Sequence, residues 1–213
     1  MIRRRTALSI SSAALLAASP LLTACGSSPH PGAAAVVEGD RITVSQLQSQ
    51  VEDVRAAQRS SPQASRLIQD TGQLSRVTLN GMIFDRVLDH AAEEAGVNVT
   101  RSDVQKAQTA AEQGAGGADR LRQMWLQQYA IGPGQVETTV RNQVAMDKLA
   151  QALGVDRSSP QGQEKIVQAL RDASAKMGID VNPRFGTWDD KKVLLGNLKE
   201  PWLRNAPAAD KQA

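Results

Sequence analysis

Apolar side chains recur every three to four positions through most of the chain, the spacing of helices that bury one face. Leu47, Val51 and Val54 mark the first such face, and Thr43 with Gln46 three residues later has the spacing of a capping box at its start. A second run from Leu74 to Ala95 carries Val77, Phe84, Leu88, Ala91 and Ala95 on one stripe. Met82, Ile83 and Val87 widen that stripe, which predicts a central helix buried on two sides. Thr100 and Asp103 open a third helix with Val104, Ala107 and Ala111, and a fourth carries Leu121, Met124, Trp125 and Tyr129. Pro133 precedes a fifth, with Val136, Val140, Val144, Leu149 and Leu153. Ser159-Pro160 sets an N-cap and a first-turn proline ahead of a sixth, with Ile166, Leu170, Ala173 and Met177.

The helix ends agree with these runs. Gly96-Val97, Gly154-Val155 and Gly178-Ile179 each set a glycine after a helical stretch and an apolar residue after the glycine. Glycine accepts the left-handed turn that closes a helix, and the apolar side chain folds back on the last turn. Only two short segments read as extended: Val36-Val37 before the turn at Gly39-Asp40, and Ile179 with Val181, where Pro183 pushes Asn182 away from helical angles. Neither is a stable strand alone. Ala35–Glu38 and Ile179–Asn182 are therefore expected to pair. The predicted fold is all-α, about six helices in one domain over residues 35–205, with a two-stranded β patch joining its ends and a disordered tail over 206–213.

The front of the chain has a different character. Met1-Ile2-Arg3-Arg4-Arg5 is positive without an acid, and 16 mostly apolar positions follow from Ala7 to Leu22. That is the layout of a secretory signal, shorter than the roughly 20 residues a spanning helix needs. It ends at Leu22-Thr23-Ala24-Cys25-Gly26, which resembles the lipobox of bacterial lipoproteins. Residues 1–24 are thus expected to leave as a signal peptide, and Cys25, the one cysteine in the chain, to carry the lipid. Residues 25–34, rich in Gly, Ser, Pro and Ala, read as a flexible tether at the extracytoplasmic face of the membrane. The charge argument changes with cleavage: 25 Lys and Arg face 22 Asp and Glu, and three arginines leave with no acid. The mature chain is balanced, so its basic pI points to no nucleic-acid partner.

Catalytic or metal chemistry has little to build on. Besides His30 in the tether, His90 is the one histidine, and it lies mid-helix among Asp89, Glu93 and Glu94, where a local ion pair is expected. No metal-ligand spacing and no phosphate-binding glycine loop occurs. No active site, cofactor or metal is expected. With aromatics at 3% of the chain, their positions carry weight. Met124, Trp125 and Tyr129 either wall a polypeptide-binding groove or fill core. Asn182, Pro183, Arg184, Phe185 and Trp188 either bind a ligand or lock the end of the domain, the rings closing the core and Arg184 bonding helix-end carbonyls.

Two segments carry a family resemblance. Ala35-Val36-Val37-Glu38-Gly39-Asp40-Arg41-Ile42-Thr43 ahead of a helix resembles the opening of the SurA N-terminal domain, shared in outline with PrsA-type foldases and trigger factor. Gly96-Val97-Asn98-Val99-Thr100, leading into a helix with Asp103, resembles that family's link between helices, and the helix order is similar over residues 35–155. The stretch from Ile179 to Trp188 resembles a terminal segment of actinobacterial lipoproteins of this type, in keeping with a composition of high-GC character. The resemblance implies a helical chaperone-like module that binds unfolded or newly exported polypeptides without catalysis. Many relatives carry a parvulin isomerase domain whose histidines are missing here, so isomerase activity is not carried over. The alternative is a lipoprotein adaptor that docks one partner of an envelope complex. The anchor has a direct test: Cys25→Ser should leave uncleaved precursor or release the protein to the medium, because the acyl chains supply the membrane affinity. Wild-type fractionation with membranes would overturn the lipoprotein reading.

Overall fold

The helix starts follow from their caps. In the computed structural model, which describes residues 31–196, Thr43 Oγ1 accepts from Gln46 N (3.1 Å) and Gln46 Oε1 accepts from Thr43 N (2.8 Å), opening α1 (Val44–Arg59). The same reciprocal pair between Thr100 and Asp103 opens α4 (Arg101–Ala115), and Ser159 Oγ accepts from Gly162 N (3.0 Å) at the start of α7 (Pro160–Lys176). Between them lie α2 (Ala64–Asp70), α3 (Leu74–Glu94), α5 (Ala118–Tyr129) and, after a 3₁₀ turn at Pro133–Gln135, α6 (Val136–Ala152). Gly96, Gly154 and Gly178 all adopt positive φ, as helix-closing glycines do.

Among the described residues there are seven α-helices where about six are predicted, and α2 is the addition. It spans 7 residues, buries only Leu67 and lacks a side-chain cap, so it leaves almost no periodic trace. What holds it is a polar knot. Gln58, fully buried on α1, donates to Thr71 Oγ1 (3.1 Å) and accepts from Arg55 (2.7 Å), whose guanidinium also donates to Thr71 O (2.8 Å).

The two ends of the domain meet in a sheet of three strands rather than two. β1 (Ala33–Val37) lies between β2 (Asp40–Thr43) and β3 (Asp180–Val181), antiparallel to both. The pairing of Ala35 with Val181 and Val36 with Asp180 is the predicted joining of the ends. β2 enters because Glu38 and Gly39, both at positive φ, turn the chain straight back on itself. β1 also begins two residues inside the stretch expected to be tether: Ala33 and Ala34 are fully buried, too small to have marked themselves as core. The signal 1–24, Cys25, the first tether residues and the tail 206–213 lie outside the described residues.

After β3 the chain makes a second, unpredicted hairpin, β4 (Thr187–Asp189) with β5 (Leu194–Gly196). Gly186 makes its close packing possible: φ is +128°, and a Cβ would lie 2.5 Å from Gly196 O. Trp188 and Leu195 point from this hairpin into the main core, which gathers Ile42, Leu47, Leu79, Ile83, Val87, Leu149, Ile166 and Leu170. The indole of Trp188 donates to Ser174 Oγ (2.8 Å), which donates onward to Asp190 (2.6 Å). A second, smaller core joins Val104, Leu121, Trp125, Val136 and Val140.

Replacing Trp188 should therefore damage the whole domain. Trp188→Ala removes a ring that is 8% exposed and takes from Ser174 Oγ the donor it accepts from, at a cost of about 3–5 kcal/mol. Thermal melting should show a transition lower by roughly 10 °C; a shift within error would make the hairpin an appendage.

Candidate functional site

A groove of about 670 Å³ opens between α1, α3 and α6, lined as well by residues of the segment from Tyr129 to Gln135. Its shape begins with small residues. Gly81 sits mid-helix on α3 with nothing within 4 Å of where a Cβ would be, so the missing side chain is open space in the groove wall. Gly132 is buried against α1: a Cβ there would meet Asp53 Oδ2 at 2.5 Å, so only glycine lets this loop approach. Asp53 accepts from Gly134 N (3.0 Å), and Gln135 accepts from Gly132 N (2.9 Å) while donating to Gln50 (3.2 Å). Ala130 closes α5 with φ +53°, a left-handed turn that costs a residue with a Cβ about 1 kcal/mol.

The groove walls are apolar and adaptable. Leu74, Met82, Phe84, Ile131 and Met146 line it, with Val77 (59% exposed) and Tyr129 (62% exposed) standing at its surface. The face of α3 read as one core stripe serves two purposes. Leu88 and Ala91 pack the core over its second half, whereas Val77 on the same stripe lines the groove.

Polar groups sit on the floor. Thr78 is buried, and Asn142 of α6 donates its amide to Asp85 of α3. Asn142 Oδ1 is a buried side-chain oxygen without a hydrogen-bond partner among the described residues. Burial is the largest influence on Asp85 and pushes its carboxyl above the ordinary range; the bond from Asn142 opposes this, Asp89 adds to it and Arg141 opposes it.

The residues singled out from sequence separate here. Tyr129 lines the groove. Trp125, 6% exposed, belongs to the second core and Met124 packs against that core, because α5 turns this face toward α4 and α6. Trp188 is core, Phe185 is half-buried against it, and Arg184 lies over the Phe185 ring (5.3 Å) at the surface. The cation that binds nearby carbonyls is Arg76, on Phe185 O (3.0 Å) and Gly196 O (2.6 Å), in place of the Arg184 contact expected. Asn182 locks the ends instead: its backbone donates to Ala34 O (3.0 Å) and its side chain to Ala33 O (3.2 Å), while Pro183 starts the turn to Phe185 and Gly186. His90 lies 3.5 Å from both Glu38 and Glu94. Among the described residues no group of three or more His, Cys, Asp or Glu could hold a metal, and no helix is long and apolar enough to cross a membrane.

The groove floor itself was not foreseen. Asp85 and Asn142 are ordinary surface-type residues in sequence, and their pairing needs two helices to be placed. The one local signal is Asn80-Gly81 inside a strong helical run, where a glycine costs about 1 kcal/mol against alanine.

The raised Asp85 carboxyl has a consequence for stability. Folded Asp85 holds its proton to higher pH than the unfolded chain, so its favourable share is present in acid and lost as pH rises through the folded value. Asp85→Asn, neutral throughout, should melt a few degrees above wild type at neutral pH. Melting curves taken down to about pH 3 should show that advantage fading as the unfolded-state carboxyl also becomes protonated. A gap that is constant or grows in acid would contradict the burial argument.

Comparison with known proteins fits this architecture. No curated protein and no solved structure matches the chain. Residues 3–150 match the family model of the SurA-like N-terminal domain, which takes in the groove's α1, α3, α5 and α6 apart from the last two residues of α6. Domains of this kind are non-catalytic, chaperone-type modules that bind polypeptides. With more than half its length matched, the chain belongs to the SurA-like N-terminal domain family.

Proposed function

We propose that this protein holds unfolded or newly exported polypeptides in the groove between α1, α3 and α6, at the extracytoplasmic face of a membrane to which lipid on Cys25 anchors it. The observation that carries the reading is an open apolar groove with Val77 and Tyr129 at its surface, the two most exposed of the four exposed large hydrophobics among the described residues. Contiguous apolar surface of this sort marks a place where something docks. Two methionines, Met82 and Met146, give the walls side chains that repack around different sequences. Binding of this type needs no nucleophile, base or metal. Membership of a polypeptide-binding family supports the same reading.

The adaptor alternative differs in selectivity. A holding protein suppresses aggregation of several unrelated unfolded clients, whereas an adaptor for one partner ignores most of them. Residues 26–213 should suppress aggregation of chemically unfolded clients in stoichiometric amounts. Val77→Asp puts a charge on the apolar wall and Gly81→Met fills the open space, and each should weaken that suppression severalfold. Because Val77 is exposed and Gly81 has free space beside it, melting temperature should move little for either. Full suppression by both variants would exclude this groove as the client site.

A further inference from the structure

The groove carries a charge pattern that an apolar client does not explain. Two carboxylates line it, Asp53 from α1 and Asp85 from α3, and among the described residues neither has a cation at ion-pair distance. The guanidinium that lines the groove, Arg157, is held by Asp147 (2.5 Å). Arg141, beside Asp85, is taken by Asp89. The floor is equally one-sided in hydrogen bonding. Asn142 spends its donor on Asp85, which leaves its own Oδ1 as a buried acceptor without a donor, beside a carboxylate held by that one amide and by no cation. Buried acceptors are costly when unpaired, and each is worth more once a donor reaches it in a site from which water is displaced.

We propose that the groove selects apolar polypeptide segments bearing a lysine or arginine, the apolar residues lying on Val77, Met82, Met146 and Tyr129 and the cation reaching the Asp85–Asn142 pair. This rests on the groove being the client site and adds what it prefers. A long basic side chain suits the geometry. Its methylene stem lies along the methionines while its head supplies donors to the acceptors on the floor. Asp53 on the opposite wall adds negative potential along the same path. An acidic segment meets two carboxylates that have no ion-pair partner among the described residues and is disfavoured, which makes the groove selective as well as sticky.

The test compares three unstructured, fluorescein-labelled apolar peptides that are identical except at one central position: lysine, acetyl-lysine or glutamate. Residues 26–213 should bind the lysine peptide roughly tenfold more tightly than the acetyl-lysine peptide, and the glutamate peptide more weakly still. In Asp85→Asn the lysine to acetyl-lysine ratio should fall to near one. Asp119→Asn, on an almost fully exposed carboxylate of α5, should keep the wild-type ratio, which separates the groove from general attraction. The preference should also persist at about 0.3 M salt, where exposed charges are largely screened. Equal binding of lysine and acetyl-lysine peptides, or a ratio unchanged in Asp85→Asn, overturns the preference and leaves the groove reading standing. If none of the peptides binds, the groove reading falls too.

Discussion

The fold depends on a strand that is paired along both edges. β1 has β2 on one side and β3 on the other, so residues from the start and the finish of the domain share one ladder. The strand cannot be left half-made. Its backbone groups are buried with Ala33, Ala34, Ala35 and Val37, and a buried unpaired amide or carbonyl costs as much as the bonds it forgoes. Asn182 closes the clasp with both backbone and side chain, and Glu38 N donates to Met177 O (2.8 Å) at the end of α7. With the ends fixed, α7 and the β4–β5 hairpin are held against α3, and Trp188 can seal the core.

The helices were legible because each carries its own instructions. Thr43, Thr100 and Ser159 announce starts, Gly96, Gly154 and Gly178 announce stops, and the apolar spacing between them needs no knowledge of partners. What the sequence hid was structure whose stability is borrowed. α2 is held by the Gln58–Arg55–Thr71 network from another helix, and the β4–β5 hairpin by Trp188, Leu195 and Arg76. Alanine hides its place: Ala33 and Ala34 in Gly-Ala-Ala-Ala look like linker and are fully buried core, because so small a side chain adds little to an apolar pattern.

The groove was less legible than the fold for a related reason. A helical stripe states which residues share a face, not what lies opposite along its length. Val77 and Leu88 share a stripe on α3, yet one faces the open groove and the other the main core. Tyr129 reached the groove and Trp125 did not, although they lie one turn apart, because α5 ends at Ala130 and only its last residue projects beyond the second core. The Asp85–Asn142 pair bridges two helices 57 positions apart and has no local signature.

The paired central strand also decides how the domain meets force. A pull on the chain before Ala33 runs along β1 and across its bonds to β2 and β3. Antiparallel bonds on both flanks are then loaded together, in shear, and none yields by itself while its neighbours hold. A strand at an edge, pulled from its free end, would unzip one bond at a time. The groove-forming helices stand behind this clasp, so tension at the N-terminal end is taken up by backbone bonds before it reaches the groove walls.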